Sequence, residues 1–229
     1  MSEQLIDNNL ISKDGDTINY DEKVEQLVNE GYSFDIGNYI SQGFDIFKQN
    51  IGGFIGYTLL VAAISVFGQL IPVIGALAVS VISPALTVGY FIVGKKILFN
   101  EDYEFGDFFK GFQFLLHLFL GNLVGGIFII IGIILLVVPG IYLGVAYIWV
   151  SLFIVFAGKE FWPAMEMSRK VITKNWLSFL GFAIVLGLIN ILGLICLGIG
   201  ILVTIPATIL AVFVAFKEVV GINENQHFN

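Results

Sequence analysis

Long apolar runs alternate along the chain with short segments of mixed character. Lys and Arg stand at positions 13, 23, 48, 95, 96, 110, 159, 169, 170, 174 and 217. Between them lie three stretches, 49–94, 111–158 and 175–216, without a single Asp, Glu, Lys or Arg. A helix that crosses a bilayer needs about 20 residues, and each stretch is roughly twice that long, so each holds two spans and a tight turn. The pattern predicts an all-α polytopic membrane protein whose six transmembrane helices form three hairpins. The spans are expected at about 51–71, 74–94, 117–138, 141–158, 177–197 and 201–217.

Turn chemistry places the reversals. Proline ends a helix and glycine permits a tight bend. Pro72 within GQLIPVIG, Pro139-Gly140, and Leu197-Gly198-Ile199-Gly200 are the expected turns. Pro84 and Pro206 fall inside later spans and predict kinks, with neighbouring helices satisfying the freed carbonyls.

The mixed segments carry helical periodicity. After Ser33, a candidate N-cap, Ile36, Tyr39, Ile40, Phe44 and Phe47 recur at spacings of three and four, opposite Asp35, Asn38, Gln42, Asp45 and Gln49. Segments 95–110 and 159–174 are equal in length. In the first, Phe105, Phe108, Phe109 and Phe112 oppose Asp107 and Lys110. In the second, which Pro163 is placed to start, Met165, Ile172 and Trp176 oppose Glu166, Arg169, Lys170 and Thr173. Such stripes beside apolar runs predict amphipathic helices at the membrane interface, one before each hairpin. Lys48, Lys110 and Lys174 each close one of these segments, and the two intervals between them are nearly the same. The chain thus reads as three copies of one unit, with a weak local echo between FKQN at 47–50 and TKNW at 173–176.

Composition agrees with this reading. Hydrophobic residues make up 57% of the 229 residues and charged ones 13%, against about 25% charged in soluble domains. Most of the net charge of −7 sits in segment 1–32, where Lys13 and Lys23 face eight carboxylates. The expected organisation is an acidic, flexible tail at 1–32, with a short helix allowed at 20–28 by Val24, Leu27 and Val28 and a partner-docking segment as the alternative, then one membrane domain at 33–220 and a C-terminal tail at 221–229. MSEQLIDNNL lacks the basic and apolar regions of a cleavable signal peptide. All eleven cations lie on the side of the termini and inter-hairpin segments, so the positive-inside rule makes both termini cytoplasmic.

Candidate chemistry is sparse. The polar residues expected in the spans are Gln69, which reads as a helix cap, together with His117, Asn122 and Asn190. His117 continues the Asp107–Lys110–Gln113 face as an interfacial histidine, and the two asparagines suit interhelical hydrogen bonds of about 0.6–2 kcal/mol. Neither His117 nor His227 has a nucleophile or metal cluster near it in sequence, and Cys196 is the only cysteine. Glu101, Asp102, Glu104 and Asp107 read as solvated charge and a helix N-terminus. The chain is therefore not expected to be an enzyme or to carry a cofactor or metal, and no basic patch suggests nucleic acid. Gly52-x-x-x-Gly56 and Gly121-x-x-x-Gly125 are candidate packing faces. Tyr142, Tyr147, Trp149, Trp162 and Trp176 are candidate interface anchors. Lys48, Lys110, Arg169, Lys170 and Lys174, with Trp162 and Trp176, are the candidate contacts to lipid headgroups.

The run LLVVPGIYL at 135–143, a span, then KEFWPAMEMSRKVITKNW at 159–176 resembles a bacterial membrane family. It is the group around the glycerophosphoryl diester phosphodiesterase membrane domain and the YciC-like proteins. Glu160, Ala164, Ser168, Asn175 and Trp176 fall at the places of the family's acidic residue and its A-x-x-x-S-x-x-x-x-x-G/N-x-W helix, and FDIGNYISQGFDIFKQNIG at 34–52 resembles its start. Where the family commonly has a basic residue after the turn, this chain has residues such as Ala146 and Tyr147. The resemblance implies a six-helix protein of the bacterial cytoplasmic membrane, without the phosphodiesterase catalytic domain. The expected role is a membrane scaffold or accessory subunit in contact with lipid and with a protein partner or a second copy of the chain. The alternative is a permease or flippase-like carrier of an apolar or lipid substrate.

Overall fold

The computed structural model describes residues 18–71, 73–196, 198–224, 226 and 228. Among these, every regular element is helical. Six helices are long and apolar enough to cross a membrane: Ile51–Gln69, Ile74–Leu98, Phe105–Leu135, Val137–Phe156, Trp176–Ile195 and Ile201–Val219. In finer detail the order is α1 Tyr20–Glu30, α2 Ile36–Gln49, α3 Ile51–Gln69, α4 Ile74–Leu98 and a 3-10 helix at Phe105–Phe114. Then follow α5 Leu115–Leu135, α6 Val137–Ala146, α7 Val150–Phe156, α8 Phe161–Lys174, α9 Trp176–Ile195 and α10 Ile201–Val219.

Consecutive apolar helices meet through glycine. Gly68 faces Gly75 and Val79, Gly132 faces Gly140, and Gly193 faces Gly200 and Thr204, each too closely for a Cβ on either glycine. The first member of each pair is mostly exposed and the second is half-buried. The buried shares are 17% against 50%, 22% against 44%, and 17% against 50%. The buried halves of α4, α7 and α10 meet in a core of aromatic rings. Phe213 stacks on Phe91 at 6.3 Å, and Phe216 stands edge-on to Trp149 at 5.5 Å and Phe153 at 5.0 Å. Large exposed apolar side chains gather at the opposite ends: Leu70, Ile71, Val73 and Ile74 in the first pair, Leu135–Val138 in the second, and Leu194, Ile195 and Ile199 in the third.

The helices of mixed character seat on the inner apolar helices through small residues. A Cβ on Gly43 of α2 would lie 2.7 Å from the Ala207 carbonyl of α10. Gly111 of the 3-10 helix abuts the Ala85 carbonyl of α4 in the same manner. In α8 the small residue is Ser168, whose hydroxyl donates to the Ala146 carbonyl at 2.7 Å. The buried face of α2 is Tyr39, Gly43, Ile46 and Phe47; Gly43 is invisible to a hydrophobicity pattern because it contributes closeness, not area. Both α2 and α8 pass into the next helix through one non-helical asparagine. Asn50 has φ −145°, ψ 57° and Asn175 has φ −133°, ψ 41°.

Several details depart from the sequence reading. Pro139-Gly140 is not the turn: both lie in α6, and the break is Leu136, with extended φ −160° and ψ 126°. Proline is tolerated in a helix's first turn, where its missing N–H has no partner to lose, and Gly140 is needed for the approach to Gly132 and Ile133. The helix that follows is itself broken at 147–149. Gly52 and Gly56 have nothing within 4 Å of a built Cβ, whereas Gly121 and Gly125 do pack, on Val150 and on Tyr147. Trp149 is fully buried and anchors no interface. Residues 20–30 form the short helix that the sequence allowed, and it is docked on the rest of the chain, not free, because Tyr20, Val24 and Leu27 make one buried stripe. Asp21 also pairs with Lys159 at 2.6 Å. The expected turn residues Pro72 and Leu197, together with residues 1–17 and His227, lie outside the described residues.

Candidate functional site

The candidate headgroup residues do not form one patch. Arg169 on α8 is held by Glu166 one turn earlier, Nη2 to Oε2 at 2.8 Å. That hydrogen bond keeps the Glu166 carboxyl below the ordinary glutamate range and raises the guanidinium further. The Tyr142 hydroxyl of α6 lies 2.6 Å from the Thr173 hydroxyl, and the Trp176 indole N–H donates to the Tyr142 carbonyl at 3.4 Å. Lys170 and Lys174 are exposed beside them, and Trp162 is half exposed, edge-on to Phe128 at 6.2 Å. Thus Arg169, Lys170, Lys174 and Trp176 share one helical region, with Trp162 at its start. Lys48 stands apart on α2, paired with Asp45 at 2.9 Å.

Lys110 belongs to a different cluster. Its ammonium bridges the Asp107 carboxylate at 2.9 Å and the Phe228 carbonyl at 2.7 Å. Asp107 is only 5% exposed, so the expectation of solvated charge fails here. It caps the 3-10 helix through the Glu104 N–H at 2.9 Å and binds Lys96 at 2.8 Å. At the centre of the cluster is Lys95, whose side chain is completely buried. It pairs with Glu101, donates to the carbonyls of Glu224 at 2.7 Å and Gln226 at 3.0 Å, and lies 5.5 Å from the Phe99 ring centroid. Gln226 in turn donates to the Val155 carbonyl at 3.0 Å. The sequence marked Lys95 only as a charge ending a span; the carbonyls it gathers are more than a hundred positions downstream.

The polar residues of the apolar helices remain scattered. Asn122 donates to the Leu118 carbonyl of its own helix at 3.0 Å. Asn190 donates to Leu186 at 3.0 Å and to the Thr208 hydroxyl of α10 at 3.0 Å, an interhelical bond of the expected kind. Gln69 turns back on the Ser65 carbonyl at 3.1 Å. His117 keeps a buried Nδ1 without a hydrogen-bond partner. No hydrogen bond links His117, Asn122 and Asn190 with one another. Among the described residues no group of three His, Cys, Asp or Glu side chains is placed to hold a metal ion.

A groove of about 310 Å³ opens between α5 and the α6–α7 break, lined among others by Asn122, Gly125, Gly126, Gly144, Tyr147 and Ser151. Comparison with known proteins finds no matching family model, curated protein or solved structure.

Proposed function

We propose that the protein is a non-catalytic membrane scaffold or accessory subunit, built as three hairpins with a polar helix before each. It belongs in a bacterial cytoplasmic membrane with both termini on the cytoplasmic side, in keeping with the resemblance to the phosphodiesterase membrane-domain group. The observation that carries the role is the division of its polar groups. The asparagines of the apolar helices are spent on helix–helix and helix–backbone bonds, while Lys48, Lys170, Lys174 and Trp162 face outward from helices of mixed character. Outward cations and aromatic rings suit anionic headgroups and a partner's acidic surface. The repeat is supported by Ala85, Ala146 and Ala207. They recur at equal spacing, and each offers its carbonyl to the small residue of a polar helix. Those helices follow α4 and α7 in the chain, and α2 on α10 closes the ring. Copurification from mild detergent tests the role: a reproducible partner is expected, and a lone monomer would sink it.

The second reading, a carrier of an apolar or lipid substrate, has the groove beside Asn122 and Ser151 in its favour. Reconstituted vesicles loaded with a fluorescent phospholipid distinguish the two. Exchange between leaflets that depends on the protein would favour the carrier.

A further inference from the structure

The three inner apolar helices share one plan but not one course. Counted from Ala85, Ala146 and Ala207, which stand at equal spacing, residues 147–149 of the middle unit match 86–88 and 208–210. Helices α4 and α10 run unbroken through those positions, although Pro84 and Pro206 directly precede the alanines. The middle unit has Val145 in that place, yet it is interrupted there, between α6 and α7. The cause stands on α8. A side chain inserted into the backbone ladder kinks a helix. The Ser168 hydroxyl donates to the Ala146 carbonyl and accepts the Trp149 N–H, which takes both groups out of the ladder. Its counterparts Gly43 and Gly111 have no side chain to insert.

Non-helical backbone in an apolar segment is tolerated where it is buried in protein or lines a cavity. This break does both. Ala146 and Trp149 are buried on one side, and Tyr147 and Ile148 line the groove of about 310 Å³ on the other. Across from them stand Asn122, Gly126 and Ile129 of α5. Two glycines, Gly126 and Gly144, keep the groove open. A Cβ on either would meet nothing within 4 Å. Helix packing therefore does not require a glycine at these places, and glycine is a poor helix former. Where the middle unit has Gly144, the other two have Ser83 and Ile205.

The groove is graded along its length. Gly121 packs on Val150, so Asn122 and Ser151, each the next residue, stand at one level, with an amide and a hydroxyl. Ile129 lies about 10 Å further along α5, toward its Leu135 end. No Asp, Glu, Lys or Arg lines the groove. An amide and a hydroxyl hydrogen-bond ester and hydroxyl oxygens, and they offer no charge to balance a phosphate. We infer that the groove binds one uncharged amphiphile of the diacylglycerol kind. Its ester and hydroxyl oxygens meet Asn122 and Ser151, and one acyl chain lies over Gly126 toward Ile129. The site deepens the carrier reading and rests on the groove that favours it, but binding requires no transport. A site that fills in the absence of leaflet exchange would keep the binding and drop the carrier.

The test uses the full chain in phosphatidylcholine nanodiscs and a diacylglycerol with a photoreactive diazirine on one chain. Saturable cross-linking is expected within 121–129 and 144–151, read by peptide mass spectrometry. Unlabelled diacylglycerol should compete for it. Phosphatidylglycerol with the same chains should compete about tenfold less or weaker still, because its phosphate would be an uncompensated charge. Equal competition by the two lipids would overturn the inference, and so would labelling that never saturates, which marks ordinary contact with bulk lipid. Gly126→Leu and Gly144→Leu fill the groove from opposite walls and should cut saturable labelling about tenfold or more, with the thermal midpoint unchanged. Gly52→Leu, at an equally open glycine outside the groove, should leave labelling as it was. Full labelling in both groove variants would overturn the site. The competition between the two lipids needs no variant, so it decides the matter even where a leucine disturbs the fold.

Discussion

Ser168 accepts the backbone N–H of Trp149 at 3.2 Å while its own hydroxyl donates to Ala146, so one side chain closes the break between α6 and α7. Ala146, Trp149 and Ser168 are all buried, and a backbone group left unpaired there costs about 1–3 kcal/mol. Ser168→Ala is expected to lower stability by about that amount, read as a drop in thermal midpoint in detergent. Restoring a small hydroxyl with Thr will not recover it unless the extra methyl fits beside Ala146. An unchanged midpoint in Ser168→Ala would show that the break needs no outside partner.

Gly43 and Gly52 form a matched pair for the close seating of α2. Gly43→Ala pushes a methyl against the backbone of Ala207 and Ala211, at 2.7 Å from the carbonyl, and neither can move alone. A loss of about 1–3 kcal/mol follows from overpacking. Gly52→Ala meets open space and is expected to be neutral or to gain up to about 1 kcal/mol from helix propensity. Equal effects of the two substitutions would argue against the seating.

Lys95→Met removes the cation that holds the Glu224 and Gln226 carbonyls, and strands Glu101 without its partner. Removing one member of a buried pair is strongly destabilising, on the order of 3–5 kcal/mol, less here because Glu101 is partly exposed. Faster limited proteolysis beyond Val220 is the expected outcome. Lys48→Met, whose ion pair with Asp45 is solvent-exposed, should change protection little.

Alkaline pH should loosen α1. Burial pushes the Tyr20 phenol up to about 12, against about 10 for a free tyrosine. The folded state favours the neutral phenol, so this contribution is whole below pH ~10 and is lost as pH rises through the folded value of about 12. Exchange of α1 amides should rise across that window in the wild type and show no such step in Tyr20→Phe. The same step in both proteins would exclude Tyr20 as its source.

Acid acts in the opposite sense at α8. The Glu166 carboxyl titrates below its ordinary value because Arg169 donates to it. Its contribution is present above the usual glutamate range and is lost as pH falls through the depressed value. Both side chains are more than a third exposed, so solvent screening keeps the effect small. Glu166→Gln should flatten the acid limb of α8 exchange without moving the global midpoint.

Where the polar and apolar segments lie is written in the order of residues alone. Three long charge-free stretches leave no soluble alternative, and helix is the element that satisfies its own backbone in lipid. The stripes on α2 and α8 were legible for the same reason, since side chains three and four apart share a helical face. The rest depends on contacts between distant residues, which no local pattern carries. Gly43 reads as a gap in a stripe until Ala207 stands against it, and Lys95 reads as a boundary charge until the chain beyond Val220 returns to it. Pro139-Gly140 reads as a turn, although a proline in a helix's first turn and a glycine facing Gly132 fit a helix equally well. The length and apolarity of the middle pair are legible in the sequence; that α8 seats on it through Ser168 and Ala146 is decided only by the tertiary structure.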